Sequence, residues 1–323
     1  MDATSSAHAN SSKRSSTALD NIAIAARGNE IKGLEIYQKT TDPGPHRFEE
    51  LLSQMYADQP SGGTDMTYGA TETHRLRFWK ANTTKTSKAP FIVFVHGGSW
   101  RSGTYLDSVG SAKVRHLTEQ GYAFASINYT LFPTVTVEEQ VQEIANSISY
   151  LVANAARLSI DPNQAIFMGH SSGAHVVSLL GTNTSYLERA RVNISIVKAV
   201  IAVDASDYNA AAEILDNPGQ IADHMTEAFG TDLNRLRAVS PTCNARAPNA
   251  GAFLLLHSHR HGDIRQAVEF VVALEAAGTD ADLHVFEGQG FEGHIQILLR
   301  LGDPVYPATA VMDNWLKMKV PVN

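Results

Sequence analysis

One serine in the sequence stands where it could act as a nucleophile. Ser171 lies at the centre of residues 169–173, GHSSG, which match the pattern G-x-S-x-G. In a tight turn between a strand and a helix, the glycines avoid collisions with neighbouring backbone and leave the serine hydroxyl projecting above the sheet. Such a hydroxyl can attack a carbonyl carbon. Because three fixed positions also occur by chance, the flanking sequence decides what the pattern means.

The residues on either side of this serine predict the strand and the helix that the pattern requires. Residues 165–168, AIFM, form an apolar run that indicates a fully buried strand. Residues 174–181, AHVVSLLG, predict a helix closed by a glycine. We therefore interpret Ser171 as the nucleophile of a strand–turn–helix elbow.

A second motif upstream could stabilise the charge that develops when a carbonyl is attacked. Residues 91–95, FIVFV, are typical of a strand covered on both faces, and HGGSW follows at 96–100. Consecutive glycines let the chain turn and expose amide N–H groups, which is what an oxyanion hole requires. The predicted oxyanion hole consists of the amides of Gly97, Gly98 and Ser172.

Strand and helix patterns alternate along the rest of the chain. The helix that follows residue 135 is predicted to open with a capping box formed by Thr136 and Glu139. The other predicted strands are 123–129, 196–203, 251–256 and 281–286, and the other predicted helices are 264–277, 294–301 and 308–319. This alternation favours an α/β fold with a mostly parallel central sheet and helices on both faces.

Two regions differ from that alternation. Residues 1–30 are rich in Ser, Ala and Asn, and we expect them to be a disordered tail ahead of a single domain at 31–323. Residues 204–248 have scattered helical periodicity and no buried strand pattern. We predict that they form a small helical lid over the active site, with plain surface packing as the alternative.

Composition excludes several classes of function. A chain of 323 residues with 43% hydrophobic content can bury one large core. The net charge of −7, without a Lys/Arg cluster, offers no footprint for nucleic acid. Cys243 is the only cysteine, which excludes an internal disulfide and fits a reducing compartment.

No apolar run approaches the roughly 18 residues that span a bilayer, and residues 1–27 hold no signal-peptide core. We therefore expect a cytoplasmic protein without membrane association.

The two motifs together resemble a known family. HGGSW at 96–100 and GHSSGAH at 169–175 are similar to motifs of the α/β-hydrolase superfamily, within the branch of kynurenine formamidases (arylformamidases) and hormone-sensitive-lipase-like esterases. The resemblance covers about residues 91–319. The tryptophan after HGGx and the Gly-Ala-His after the elbow serine favour the formamidase side, since general esterases more often carry HGGG. The resemblance implies the α/β-hydrolase fold and a serine hydrolase that uses no cofactor and no metal.

The resemblance also implies a catalytic triad in the order serine, acid, histidine. His294 follows the last predicted strand, where the family places its histidine, so we predict it as the general base. The family usually has aspartate where this chain has His261, and Asp263 is the carboxylate in that loop. Asp263 is therefore predicted as the acid. Asp204 and Asp207, which follow the preceding strand, are the alternatives.

Three more residues are predicted to shape the substrate pocket. Asp207 and Tyr208 resemble a pocket-forming segment of the family, and Trp100 is expected to line an aromatic pocket. The histidines at positions 257, 259 and 261 are interpreted as solvated surface residues rather than as metal ligands.

The resemblance implies that the enzyme hydrolyses a small amide, such as an N-formyl or aryl amide, through an acyl-enzyme. The same machinery would cleave a small ester, so a carboxylesterase or lactonase is the alternative. A non-catalytic or repurposed protein is a third interpretation, supported only by the histidine at the expected acid position. The expected partner is a small-molecule substrate. The oligomeric state is left open, with a homodimer as one alternative.

Overall fold

A mixed sheet forms the centre of the described chain. The structure is a computed structural model, and it describes residues 44–83, 88–217 and 219–322. The predicted tail, residues 1–30, lies outside these ranges. The strands of the sheet are β1 (Thr64–Thr67), β2 (Arg75–Trp79), β3 (Ala89–Val95), β4 (Ala123–Ile127), β5 (Ile160–His170), β6 (Val197–Val203), β7 (Ala252–His259) and β8 (Asp280–Gln289).

The order of the strands confirms the predicted class. Across the sheet they follow β1-β2-β4-β3-β5-β6-β7-β8. β1 pairs antiparallel with β2, and β2 with β4, whereas every neighbouring pair from β4 to β8 is parallel. The carboxyl ends of β3, β5, β6 and β7 therefore meet at one edge of the sheet, which is where ligand sites form in open α/β sheets.

Helices connect the strands. They are α1 (Gly44–Ala57), α2 (Ser111–Glu119), α3 (Val137–Ala153), α4 (Ala155–Leu158), α5 (Ser172–Thr182), α6 (Ser185–Arg189), α7 (Ala210–Asp216), α8 (Gln220–Phe229), α9 (Leu233–Ala238), α10 (Pro241–Asn244), α11 (His261–Ala276), α12 (Gly290–Arg300) and α13 (Pro307–Lys319). The predicted capping box starts α3, since Thr136 Oγ1 accepts from the Glu139 amide at 3.2 Å and the Glu139 carboxylate accepts from the Thr136 amide at 2.7 Å. Among the described residues, no helix is both long and apolar enough to cross a membrane.

Both faces of the sheet are buried, and β3 shows why. Its side chains alternate between two hydrophobic cores, with Phe91 and Val93 in one and Ile92 and Phe94 in the other. Residues of α3 and α5 fill the first core, and residues of α2, α12 and α13 fill the second. A strand covered on both sides needs a continuous apolar sequence, which is the FIVFV pattern of residues 91–95.

The chain between β6 and β7 carries the helices α7, α8, α9 and α10. They pack on one another and on α5 and α11. A bidentate ion pair ties α9 to α3, with Arg235 Nε and Nη2 at 2.7 and 2.9 Å from the Glu138 carboxylate oxygens. The segment is helical, as the sequence predicts, and its role as a lid over the active site stays a prediction.

One predicted boundary near the functional edge is wrong. The sequence predicted a loop after residue 286 and a helix from His294, but β8 continues to Gln289 and α12 begins at Gly290. The chain passes from strand to helix without a loop because Gly288 (φ 124°) and Gly290 (φ 53°) adopt positive φ values that L side chains disfavour. His294 therefore belongs to the second turn of a helix.

Candidate active site

The strand–serine–helix elbow is formed as predicted. β5 ends at His170, α5 begins at Ser172, and Ser171 joins them with φ 56° and ψ −127°, a strained conformation for a residue with a side chain. A Cβ at Gly169 would overlap the carbonyl oxygen of Gly173, and a Cβ at Gly173 would overlap the carbonyl oxygen of Val95. Both outer positions of the pattern therefore require glycine.

The glycine motif after β3 lies directly against this elbow. A Cβ built on Gly97 would be 2.8 Å from the Ser171 Cβ and 2.8 Å from the His170 carbonyl oxygen. Gly98 has φ 117°, and the Trp100 amide donates to Ser172 Oγ at 3.3 Å. The structure thus brings the predicted oxyanion residues to the nucleophile, and their role as amide donors stays a prediction.

His294 is held by a buried aspartate, but not by the one predicted. Its Nδ1 lies 2.6 Å from Oδ2 of Asp204, which is fully buried at the end of β6. Asp263, the predicted acid, lies in the first turn of α11, and Arg260 Nη1 contacts its carboxylate at 2.9 Å. The prediction that Asp263 pairs with His294 was wrong, because the Asp263 carboxylate contacts Arg260 instead. Asp204, one of the two alternatives, occupies the position instead.

Asp204 is fixed from several directions. Its backbone amide donates to the Leu256 carbonyl at 2.7 Å, joining the ends of β6 and β7. Its carboxylate accepts from the Ser258 amide at 2.6 Å and from Ser258 Oγ at 2.9 Å. Charge-assisted hydrogen bonds of this kind hold a buried carboxylate in one orientation.

The elbow also contacts the histidine. His170 Nε2 lies 2.9 Å from the His294 carbonyl oxygen, and the two imidazole rings are 4.4 Å apart. Close packing of Gly293 on Gly288, where an added Cβ would come within 2.5 Å of backbone, sets the path of the chain just before His294. The residue next to the nucleophile thus packs on the candidate base, which brings both to the same edge of the sheet.

The charges at the site suit a neutral imidazole beside an ionised carboxylate. Burial acts to raise the pKa of Asp204, but the charge of Arg260 and the hydrogen bond with His294 outweigh it and hold that pKa well below its usual value. Burial, together with the charge of Arg260, lowers the pKa of His294. The Nδ1 proton of a neutral His294 would then point to Asp204, which leaves Nε2 free to accept a proton.

The three residues predicted to shape the pocket are buried instead. Trp100 and Asp207 are each 3% exposed and Tyr208 is fully buried. Trp100 packs edge-on against Phe229 at 4.7 Å, and Tyr208 stacks on Phe270 at 4.9 Å. This packing leaves the three side chains almost no exposed surface, and their role in the substrate pocket stays a prediction.

The sequence reasoning missed Arg260 and misjudged His257. His257 is fully buried and lies 3.2 Å from the Tyr208 hydroxyl, because β7 extends three residues beyond its predicted end at 256. His259 is exposed, as expected of a surface residue, and the side chain of His261 lies outside the described part of the structure. No motif signals Arg260. The only indication is its place next to the expected acid position.

The sheet, the elbow and the His294–Asp204 contact together define an α/β-hydrolase fold that carries the residues of a serine hydrolase site. The chain belongs to the BD-FAE family, whose model matches residues 79–261, more than half of the sequence.

The chain is similar to several proteins that are named as hydrolases. The isoprenylcysteine alpha-carbonyl methylesterase ICME of Arabidopsis thaliana is 26% identical over 236 residues, 69% of this chain and 54% of that protein. The kynurenine formamidase of Drosophila melanogaster is 29% identical over 159 residues, 48% of each protein. This chain thus spans about half the length of these curated relatives. A truncated carbohydrate esterase from gut microbiota superposes with a TM-score of 0.65 at 20% identity, over 81% of this chain and 97% of that one, which supports the fold.

Proposed function

We propose that the protein is a serine hydrolase that cleaves a small carboxylic ester through an acyl-enzyme. Ser171 would be the nucleophile, His294 the general base and Asp204 the acid. The observation that carries this proposal is the 2.6 Å contact from His294 Nδ1 to the buried Asp204, beside the elbow that presents Ser171. The esterase names of the relatives and structural neighbours support an ester as the substrate.

The reaction would run in two halves. Ser171 Oγ attacks the ester carbonyl while His294 Nε2 takes its proton, and Asp204 stabilises the imidazolium that forms. The carbon–oxygen bond to the alcohol then breaks, and His294 returns the proton to the departing alkoxide. Water attacks the acyl-enzyme, gives its proton to His294, and releases the acid as Ser171 Oγ is protonated again.

The amides of Gly97, Gly98 and Ser172 would receive the negative oxygen of both tetrahedral intermediates. Their motif lies against the elbow, so an oxyanion formed at Ser171 develops next to this backbone. Loss of one such donor ordinarily costs about a hundredfold or more in rate.

An N-formyl aryl amide is the second candidate substrate. The kynurenine formamidase of Drosophila melanogaster is among the relatives, and the Gly-Ala-His after the elbow serine also favours a formamidase over a general esterase. Because Trp100 is almost fully buried, it gives the formamide little support, and we place the ester first.

The test compares initial rates on a short-chain aryl ester, a methyl ester and an N-formyl aryl amine. We expect hydrolysis of an ester, and a loss of at least about 10³-fold in Ser171→Ala. Ser178→Ala makes the same chemical change on a buried side chain of α5 and should retain activity. Preference for the formamide would select the second candidate, and activity that survives in Ser171→Ala would contradict the mechanism.

We also propose that the protein works in a reducing compartment, the cytoplasm. The support is the single cysteine of the sequence, Cys243, which is exposed and free. Recovery of the tagged protein from the membrane or secreted fraction would contradict this.

A further inference from the structure

One guanidinium bridges the aspartate of the proposed site and the aspartate that the sequence suggested in its place. Arg260 Nε lies 3.1 Å from Asp204 Oδ2, an ion-pair contact outside hydrogen-bond geometry, on the same oxygen that contacts His294. Its Nη2 donates to the Asp204 backbone carbonyl at 3.0 Å, and its Nη1 contacts Asp263 Oδ2 at 2.9 Å. All three nitrogens of the guanidinium are therefore engaged at this one place.

Arg260 is partly buried in a strongly acidic environment. The charged and titratable groups around Arg260 and His294 come from β5, β7, α7, α11, α12 and the segment after β6. They are His170, Asp204, Asp207, Glu213, His257, Asp263 and His294. Burial lowers the pKa of His257 to about 4, so that this neighbour brings no second positive charge near neutral pH. Four carboxyl groups thus face one permanent cation.

These carboxyl groups do not share the cation equally. Burial raises the pKa of Asp207 and of Asp263 to about 7, and that of Glu213 to about 8. The pKa of Asp204 is lowered although it is as deeply buried. The contacts agree with this difference, since Arg260 meets both the carboxylate and the backbone carbonyl of Asp204 but only one oxygen of Asp263.

Resting on the proposed function, we propose that Arg260 is a positioning residue for that reaction. Its guanidinium, held in place by Asp263, keeps the Asp204 carboxylate ionised and directed at His294. Lysine could supply the charge but not the three directions of contact, because an ammonium is a single point charge on a flexible stem. The Asp263 carboxylate contacts Arg260 at 2.9 Å, so its main effect on the site would pass through that guanidinium.

The variant Arg260→Gln tests this by removing the charge and keeping a polar side chain. We expect kcat for the ester to fall by about a hundredfold, with KM changed less than about threefold, as for a loss of orientation rather than of binding. The acid limb of the pH profile of kcat/KM should move to higher pH by about one unit, because His294 loses a neighbouring positive charge while Asp204 remains.

Two more variants complete the design. Arg260→Lys should keep the acid limb near that of the wild type and restore only part of kcat. Arg265→Gln is the matched control, since Arg265 lies five residues further along the chain, in α11, is half-exposed, and pairs with Asp216 and Glu269 away from the site. It should leave the acid limb and kcat unchanged.

A purely structural role would give different results. If Arg260→Gln keeps the wild-type acid limb and loses kcat only in proportion to its unfolded fraction, the proposal fails. If Arg260→Gln does not fold, Arg260→Lys still decides, because full wild-type kcat in that variant would refute the need for the guanidinium. The pKa of the His294 ring, followed by NMR titration in wild type and Arg260→Gln, reads the same effect without turnover. If the wild type is inactive but the pKa of His294 differs between wild type and Arg260→Gln, the proposed function is overturned. The effect of Arg260 on His294 would still be supported.

Discussion

Replacing Asp204 with asparagine should nearly abolish hydrolysis, whereas the same change at Asp263 should leave most of it. The Asp204 carboxylate contacts His294 Nδ1 at 2.6 Å, while the Asp263 carboxylate contacts Arg260. Asparagine in place of Asp204 removes the charge that stabilises the imidazolium and can donate a proton to Nδ1, which favours the wrong tautomer of His294.

The magnitude follows from that role. Loss of the acid in a serine–histidine–aspartate triad lowers kcat by about 10⁴-fold, which corresponds to about 5 kcal/mol of transition-state stabilisation. Asp263→Asn weakens one anchor of Arg260 but leaves both contacts of Arg260 with Asp204. We expect less than about a tenfold loss of kcat in that variant.

The assay must separate catalysis from folding. The Asp204→Asn change leaves the Arg260 charge with less compensation, so the variant will be less stable, and rates should be measured well below its melting temperature. The concentration of folded enzyme can be taken from circular dichroism at the same temperature. A loss of about 10⁴-fold in Asp263→Asn together with a loss below about tenfold in Asp204→Asn would refute the placement of the acid at the end of β6.

Three further predictions concern stability. Gly173→Ala should destabilise the fold by about 2 to 4 kcal/mol in urea denaturation, because the new methyl group overlaps the Val95 carbonyl oxygen. Gly262→Ala, where an added Cβ meets nothing closer than 3.8 Å, is its control. Burial raises the pKa of Glu213 to about 8, so the folded state holds a proton that the unfolded state releases, and stability falls as pH rises from about 4.5 to 8. Between about pH 5 and 8.5 the wild type should lose at least about 1.4 kcal/mol relative to Glu213→Gln, and parallel pH curves would contradict this. Burial lowers the pKa of Lys113 to about 7, so the wild type should gain stability from about pH 7 towards 10. The gain should be absent in Lys113→Met, and an equal gain in the variant would show that another group titrates.

The features that sequence reasoning placed correctly depend on local chemistry. A strand covered on both faces requires a continuous apolar run, which identified β3 and β6. The elbow glycines follow from close backbone approach, which any side chain at Gly169 or Gly173 would prevent. The capping box of α3 needs only two residues three positions apart. Each of these constraints acts within a few residues of the chain and so can be recognised from the sequence.

The features that sequence reasoning misplaced depend on which side chains meet across the fold. Trp100 follows a glycine motif and is aromatic, so it matched an expected pocket residue, yet packing against Phe229 from α8 buries it. Nothing in the order of residues along the chain fixes how closely the helices between β6 and β7 cover the loop after β3. Burial of this kind is decided by tertiary packing, which single-sequence patterns do not contain.

The acid illustrates the same limit most sharply. β6 and β7 are neighbouring parallel strands, and their ends are joined by the hydrogen bond from the Asp204 amide to the Leu256 carbonyl. Adjacent strands lie about 4.8 Å apart, so a carboxylate at the end of either strand can reach the same imidazole. The choice between them then depends on what else occupies the space, and here Arg260 decides it. Arg260 follows β7, next to the expected acid position. Its guanidinium contacts the carboxylates of both Asp263 and Asp204. A motif that contains only the spacing after β7 cannot distinguish an aspartate that pairs with the catalytic histidine from one that pairs with an arginine.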